Sequence, residues 1–116
     1  MGMKPDRIRW RRPQGITEQD WHVIRCCVEM IVEENFIVDA AFHPRLGLDR
    51  DKARQHIIDG TGLSVEEEIR LIGGSLVETF AGIRITPEEW DERFTFTREH
   101  VRFIFDKWRE IHPRRR

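Results

Sequence analysis

Cysteine is scarce in this chain: 116 residues hold two, and they are neighbours, Cys26 and Cys27. Adjacent helical positions give poor geometry for a mutual disulfide, and without a second pair there is no thiolate metal site. Both read as reduced thiols in a helix wall, Cys27 on the buried stripe and Cys26 at its edge. No apolar stretch approaches the roughly 20 residues of a membrane helix, and no apolar core of an export signal is present. A cytoplasmic protein with no membrane partner is therefore expected. Also missing are a glycine cradle between strand and helix, a Walker lysine, a nucleophile elbow and a His-Glu-x-x-His pattern. These absences remove the legible signatures of nucleotide binding, serine hydrolysis and zinc proteolysis. No catalytic residue, cofactor or metal-ligand set is assigned.

What the chain does have is charge, unevenly placed. The formal net charge is −1, yet residues 1–16 carry Lys4, Arg7, Arg9, Arg11 and Arg12 against Asp6 alone. Residues 109–116 carry Arg109, Arg114, Arg115 and Arg116 against Glu110, which leaves the middle of the chain near −8. The organisation implied is a basic N-terminal arm over 1–16, one domain over 17–112 and a basic tail over 113–116, a length suited to a single core. Such ends attract phosphate by screened electrostatics. They suit equally the acidic body of the same molecule or of a second copy.

The chain also repeats itself. RLGLDRDKARQHI from Arg45 lies on RFTFTREHVRFIF from Arg93, pairing Leu46 with Phe94, Asp49 with Thr97, Arg50 with Arg98 and Ile57 with Phe105. The same offset lays Trp21, Ile24, Cys27 and Val28 on Ile69, Ile72, Ser75 and Leu76. Two helix-loop-helix halves, over 17–60 and 65–108, are the candidate repeat units.

Caps and periodicity predict a mainly α fold, a small bundle of four longer helices near 18–35, 50–59, 65–81 and 98–111 plus a short helical turn after Thr86. Ile16-Thr17 ahead of Asp20 and Trp21 is a cap with a staple, and Ser64 with Glu67 and Thr86-Pro87 with Glu89 are capping sequences. Gly60 is a left-handed terminator. The stripe Trp21, Ile24, Cys27, Val28, Ile31 and Val32 defines a one-sided buried face. Gly73 and Gly74 inside the third predicted helix point to a close helix crossing. A single turn from Asp39 is expected to stop before Pro44, with His43 in a loop. Arg98, Arg102 and Lys107 are placed facing outward. If 45–48 and 93–97 were extended they could pair as a tiny bridge, but the preferred picture is a bundle without it.

The histidines are scattered singly. His56 is the best placed, near the inward face of its helix and within reach of Cys26, Glu68 or Glu78. A hydrogen-bonded structural histidine is the preferred reading over a ligand or general base. The segment 49–80 has the outline of a helix-turn-helix, but its second helix would present glutamates where phosphate should lie. Three functional classes fit this sequence. The first is a non-catalytic protein-interaction or scaffold protein, its partner meeting an acidic face of Glu29, Glu33, Glu66, Glu67 and Glu78, with Trp10 docked on the domain or a partner chain and a homodimer expected. The second is low-specificity nucleic-acid binding by Lys4, Arg7, Arg9, Arg11, Arg12 and Arg114, Arg115, Arg116. The third is a small enzyme using a helical groove near His56.

Overall fold

A computed structural model of the chain describes residues 12–113, so the expectations for Lys4, Arg7, Arg9, Trp10, Arg11, Arg114, Arg115 and Arg116 lie outside the described residues. Among those described, six α-helices follow one another: α1 (Glu18–Glu33), α2 (Asp39–Leu46), α3 (Arg50–Asp59), α4 (Val65–Val77), α5 (Pro87–Arg93) and α6 (Arg98–Ile111). A π-helical turn, Glu78–Gly82, extends α4. No strand occurs among the described residues, and none of the helices is long and apolar enough to cross a membrane. The mainly α bundle expected from the sequence is the fold found.

The helix starts follow from their caps. Thr17 Oγ1 accepts from Asp20 N at 3.0 Å, and Thr97 accepts from His100 N at 3.0 Å. Ser64 with Glu67 and Thr86 with Glu89 form reciprocal capping boxes, the second with Pro87 as first helical residue. Gly47 and Gly60 close α2 and α3 at φ +84° and +76°, backbone that a side chain disfavours. From these elements one core is assembled. Ile24, Cys27, Val28 and Ile31 of α1 meet Leu71, Ile72 and Leu76 of α4 and Val101, Ile104 and Trp108 of α6, with Trp21 and Phe105 half-buried at its edge.

Two expectations need correcting. Asp39 begins a full eight-residue helix that runs through Pro44 in place of the single turn expected to stop before it, so His43 is helical. Pro44 deprives the Ala40 carbonyl of its helical donor, and Ala40 is exposed to water. Buried Phe42 and Leu46 hold the helix together against that loss. Nor do Arg98 and Lys107 point away from the protein. Arg98 is half-buried, and Lys107 reaches Asp20 at 3.2 Å.

Arg50 is the least expected member of the interior. Its side chain is 8% exposed. Nη1 donates to the carbonyls of Ile31 (3.4 Å), Val32 (2.7 Å) and Glu34 (3.2 Å), Nη2 donates to Ile37, and Nε pairs with Asp39 at 2.8 Å. The guanidinium lies 4.5 Å from the centre of the Phe42 ring. One side chain thus satisfies carbonyls that the end of α1 leaves without helical donors, at the negative pole of its dipole. Arg98, which the repeated window pairs with Arg50, follows the same pattern. It donates to the carbonyls of Phe80 (3.4 Å) and Ile85 (3.0 Å) and sits 4.5 Å from the Trp90 ring centre. In chain position Phe80, Ile85 and Trp90 stand to Arg98 as Val32, Ile37 and Phe42 stand to Arg50.

The two interior glycines admit neighbours. A Cβ on Gly73 would lie 3.5 Å from the Trp108 ring, in ordinary contact, whereas one on Gly74 would come within 2.8 Å of Leu46 Cδ1. Gly73→Ala is expected to stabilise by up to about 1 kcal/mol through helix propensity, and Gly74→Ala to destabilise by about 1 kcal/mol because buried Leu46 must move. Arg50→Ala should cost about 3 kcal/mol by orphaning buried carbonyls, and Arg98→Ala less because its site is half-open to water. Urea unfolding of the four variants checks both orderings.

Candidate functional site

Along the outer side of α1, residues 22, 26, 29 and 33 follow at steps of four, three and four, so His22, Cys26, Glu29 and Glu33 share one face. Where this face meets the end of α5, an open groove of about 460 Å³ is lined by Cys26, Glu29, Met30, Glu33, Glu34, Arg93 and Phe94. Met30 is buried and Phe94 half-buried, so the groove has an apolar floor with carboxylates around it.

The charges here differ in how they are engaged. Glu34 pairs with Arg93, whose guanidinium also lies 5.4 Å from the centre of the Phe36 ring. Glu33 meets Arg54 of α3 at 3.2 Å. Glu29 takes part in no ion pair among the described residues. Cys26 Sγ lies 3.6 Å from His22 Nε2. Burial, helped by the Glu29 charge, pushes the Cys26 thiol above its ordinary value, so the histidine beside it does not make an activated thiolate. Burial raises the Cys27 thiol to about 12, which leaves it an inert core residue.

Of the acidic residues singled out in the sequence, the structure gathers Glu29 and Glu33 in the groove. Glu66, Glu67 and Glu78 are not among its lining residues. Glu66 is exposed on the first turn of α4. Glu67 is bound into its capping box and to Lys52 at 3.0 Å. Those bonds, from the Ser64 backbone first and then Lys52, hold its carboxyl below the ordinary range. Glu78 forms a two-pronged pair with Arg45, with Nε to Oε2 at 3.1 Å. Arg12, the one described residue of the basic set, donates to the Ile16 carbonyl at 2.8 Å.

His56 is buried, with Nε2 3.0 Å from Glu68 and Nδ1 3.3 Å from the Thr61 carbonyl. Of its three foreseen neighbours it therefore meets Glu68. Its ring ties the turn after α3 to the first turn of α4, and His56 does not line the groove. Asp20 is a comparable tie, 6% exposed and bound by His100 at 3.0 Å and Lys107 at 3.2 Å. Among the described residues no group of three or more His, Cys, Asp or Glu side chains is disposed to hold a metal ion.

The sequence reading missed Met30, Glu34, Arg93 and Phe94. A signal for the last two existed, since Arg93 and Phe94 open the second copy of the repeated window. The arginine that opens each of the two matched windows binds a glutamate at the end of a long helix, Arg45 with Glu78 and Arg93 with Glu34, although those glutamates do not themselves match at the same offset. In comparisons with known proteins the chain matches no family model, no curated protein and no solved structure.

Burial alone would raise the Asp20 carboxyl, but the hydrogen bonds and charges of His100 and Lys107 outweigh it and hold it below its ordinary value. A carboxyl lowered on folding adds stability that is present above its unfolded value, near 3.8, and is lost as pH falls through the folded one. Asp20→Asn is expected to cost about 2 kcal/mol at pH about 5. The gap should narrow on acidification towards pH about 2. Chemical unfolding across that range checks the sign; a gap that widens in acid would contradict it.

Proposed function

We propose that the chain is a non-catalytic protein-interaction module whose working surface is the acidic groove between α1 and the end of α5. The observation that carries this reading is the groove's composition: an apolar floor of Met30 and Phe94 rimmed by Glu29, Glu33 and Glu34, with Glu29 in no ion pair among the described residues. Such a surface suits a basic segment with interspersed apolar side chains. The floor supplies contact area, while the rim speeds encounter and selects against acidic partners. Several charged groups outside the groove are, by contrast, engaged in holding the fold together. His56 and Glu68, Asp20 with His100 and Lys107, and Arg45 with Glu78 join elements of the fold to one another. A reducing compartment such as the cytoplasm suits the two free thiols.

The same reading includes an internal duplication. It is supported by Arg50 and Arg98, whose carbonyl acceptors and facing rings occupy matching positions in the two copies. The helix limits follow the offset too, α2 beginning at 39 and α5 at 87, α3 at 50 and α6 at 98.

In affinity capture from the source cell, the chain and a Glu29→Lys/Glu33→Lys variant should differ. A protein retained by the first is expected to be depleted about tenfold on the second and released as salt is raised. Melting should change little, because a surface ion pair such as Glu33 with Arg54 contributes little to stability. Equal retention by both would place the binding surface elsewhere. Recovery of nucleic acid alone would turn the reading to the basic ends.

A further inference from the structure

We infer that the groove's resident occupant is the chain's own N-terminal arm, with Ile8 on the apolar floor and Arg7 and Lys4 at the rim. The inference rests on the reading of that groove as a binding surface. Two side chains account for the groove being open. At the other helix pair, α2 packs closely on α4, because Gly74 lets Leu46 in so far that even a Cβ would come within 2.8 Å of it. At the matching positions of the repeat, Cys26 stands in the place of Gly74 and Phe94 in that of Leu46. Both replacements are larger. α5 does not close on α1 as α2 closes on α4, and the groove lies between Cys26 and Phe94.

The arm suits this gap in charge and pattern. Lys4, Arg7, Arg9 and Arg11 against Asp6 put residues 1–11 at +3; with another +3 on the three closing arginines, the chain from 12 to 113 carries −7 of the total −1. Ile8 and Trp10 alternate with Arg7, Arg9 and Arg11, so an extended segment turns its apolar side chains to one face. The long arginine stems can still reach a rim beside that face. Of the groove's three carboxylates, Glu33 and Glu34 are already held by Arg54 and Arg93, which leaves Glu29 open to the arm.

Reach agrees as well. The described chain starts at Arg12, tied to the Ile16 carbonyl just ahead of the Thr17 cap, so the arm departs beside the first turn of α1. From Thr17 to Cys26 the helix advances about 14 Å, at about 1.5 Å per residue. Extended chain covers that in about four residues. Counting back from Arg12 brings Ile8 beside Cys26 and leaves Lys4 and Arg7 for Glu29 and Glu33, along the face that starts at His22.

The test replaces Ile8 with the photo-cross-linking residue p-benzoylphenylalanine in the full chain, irradiates an equal mixture of isotopically light and heavy protein, and maps the products by mass spectrometry. The expected products join position 8 to Met30 or Phe94 of the same chain. Their yield should fall about threefold on Glu29→Lys and again on raising salt, as a screened attraction requires. Products joining light to heavy chains would overturn the inference in favour of a second copy in the groove. Products on α6, or none, would overturn it outright. Loss of the cross-link while partner capture still depends on Glu29 and Glu33 would remove the arm and leave the interaction surface standing. A strong cross-link with capture indifferent to those residues would do the reverse.

Discussion

A buried guanidinium is costly to desolvate, and it persists where each donor finds an acceptor. Arg50 meets that condition by collecting the carbonyls at the end of α1, the carboxylate of Asp39 at the start of α2 and the face of Phe42. Three parts of the chain are thereby positioned at once. The end of α1 receives donors for carbonyls that would otherwise be buried without them, and the connection to α2 is held through Ile37. α3, which carries the arginine, is seated across both. Phe42 and Leu46 are pressed inward by this arrangement, which explains how an eight-residue helix with an internal proline survives. Arg98 gives the second half the same fastening in a more exposed setting, where the acceptors lie at and beyond the π turn.

Much of this was legible because it is local. Thr17, Ser64, Thr86, Thr97 and Gly60 act on backbone within a few residues of themselves, and the helix limits expected from sequence are those observed to within a residue or two, except in α2 and at the end of α4, where the last turn is π-helical. The failures are all tertiary. Nothing near Arg50 in the chain distinguishes it from a solvated arginine, since its acceptors lie 11 to 19 residues back. Proline at position 44 argues locally for a stop and is overruled by packing. The π turn has no plain sequence mark, although Thr79 Oγ1 bonding back to the Ser75 carbonyl at 2.7 Å is the kind of contact that bends a helix. The groove was half legible. Periodicity puts Glu29 and Glu33 on one face of α1, but only the path of the chain brings Arg93 and Phe94 beside them.

The charged residues divide in a way that composition cannot show. The acidic body is not one acidic face, because Asp20 and Glu68 are consumed inside ties to α6 and α3, and Glu67 in a helix cap. The distinction matters for energetics. A carboxylate with most of its surface removed from water and two donors in place resists protonation, whereas an exposed pair such as Arg54 with Asp51 contributes little. What is left unengaged is smaller than the count of acids suggests, and it includes Glu29 in the groove as well as exposed acids elsewhere such as Glu66, Glu88 and Glu92.

On the duplication proposed above, departures between the halves carry more functional information than the matches. Positions 50 and 98 hold the same residue because both halves need the same fastening. Positions 26 and 74 hold cysteine and glycine, and positions 94 and 46 hold phenylalanine and leucine. At Gly74 the missing side chain lets one half close upon the other, and Leu46 is 1% exposed as a result. At Cys26 a side chain of two heavy atoms faces a ring, and the corresponding surfaces stand apart. A fold that needed only stability would gain by closing both crossings, since apolar area removed from water is worth about 25 cal/mol per Å². Keeping one open costs stability, and that cost is intelligible if something other than the folded helices occupies the space. The acidic rim at the open crossing and the alternating Arg7, Ile8, Arg9, Trp10 and Arg11 of the arm are complementary in charge and apolar character, so the chain carries in its own sequence a segment of the chemistry this groove would select.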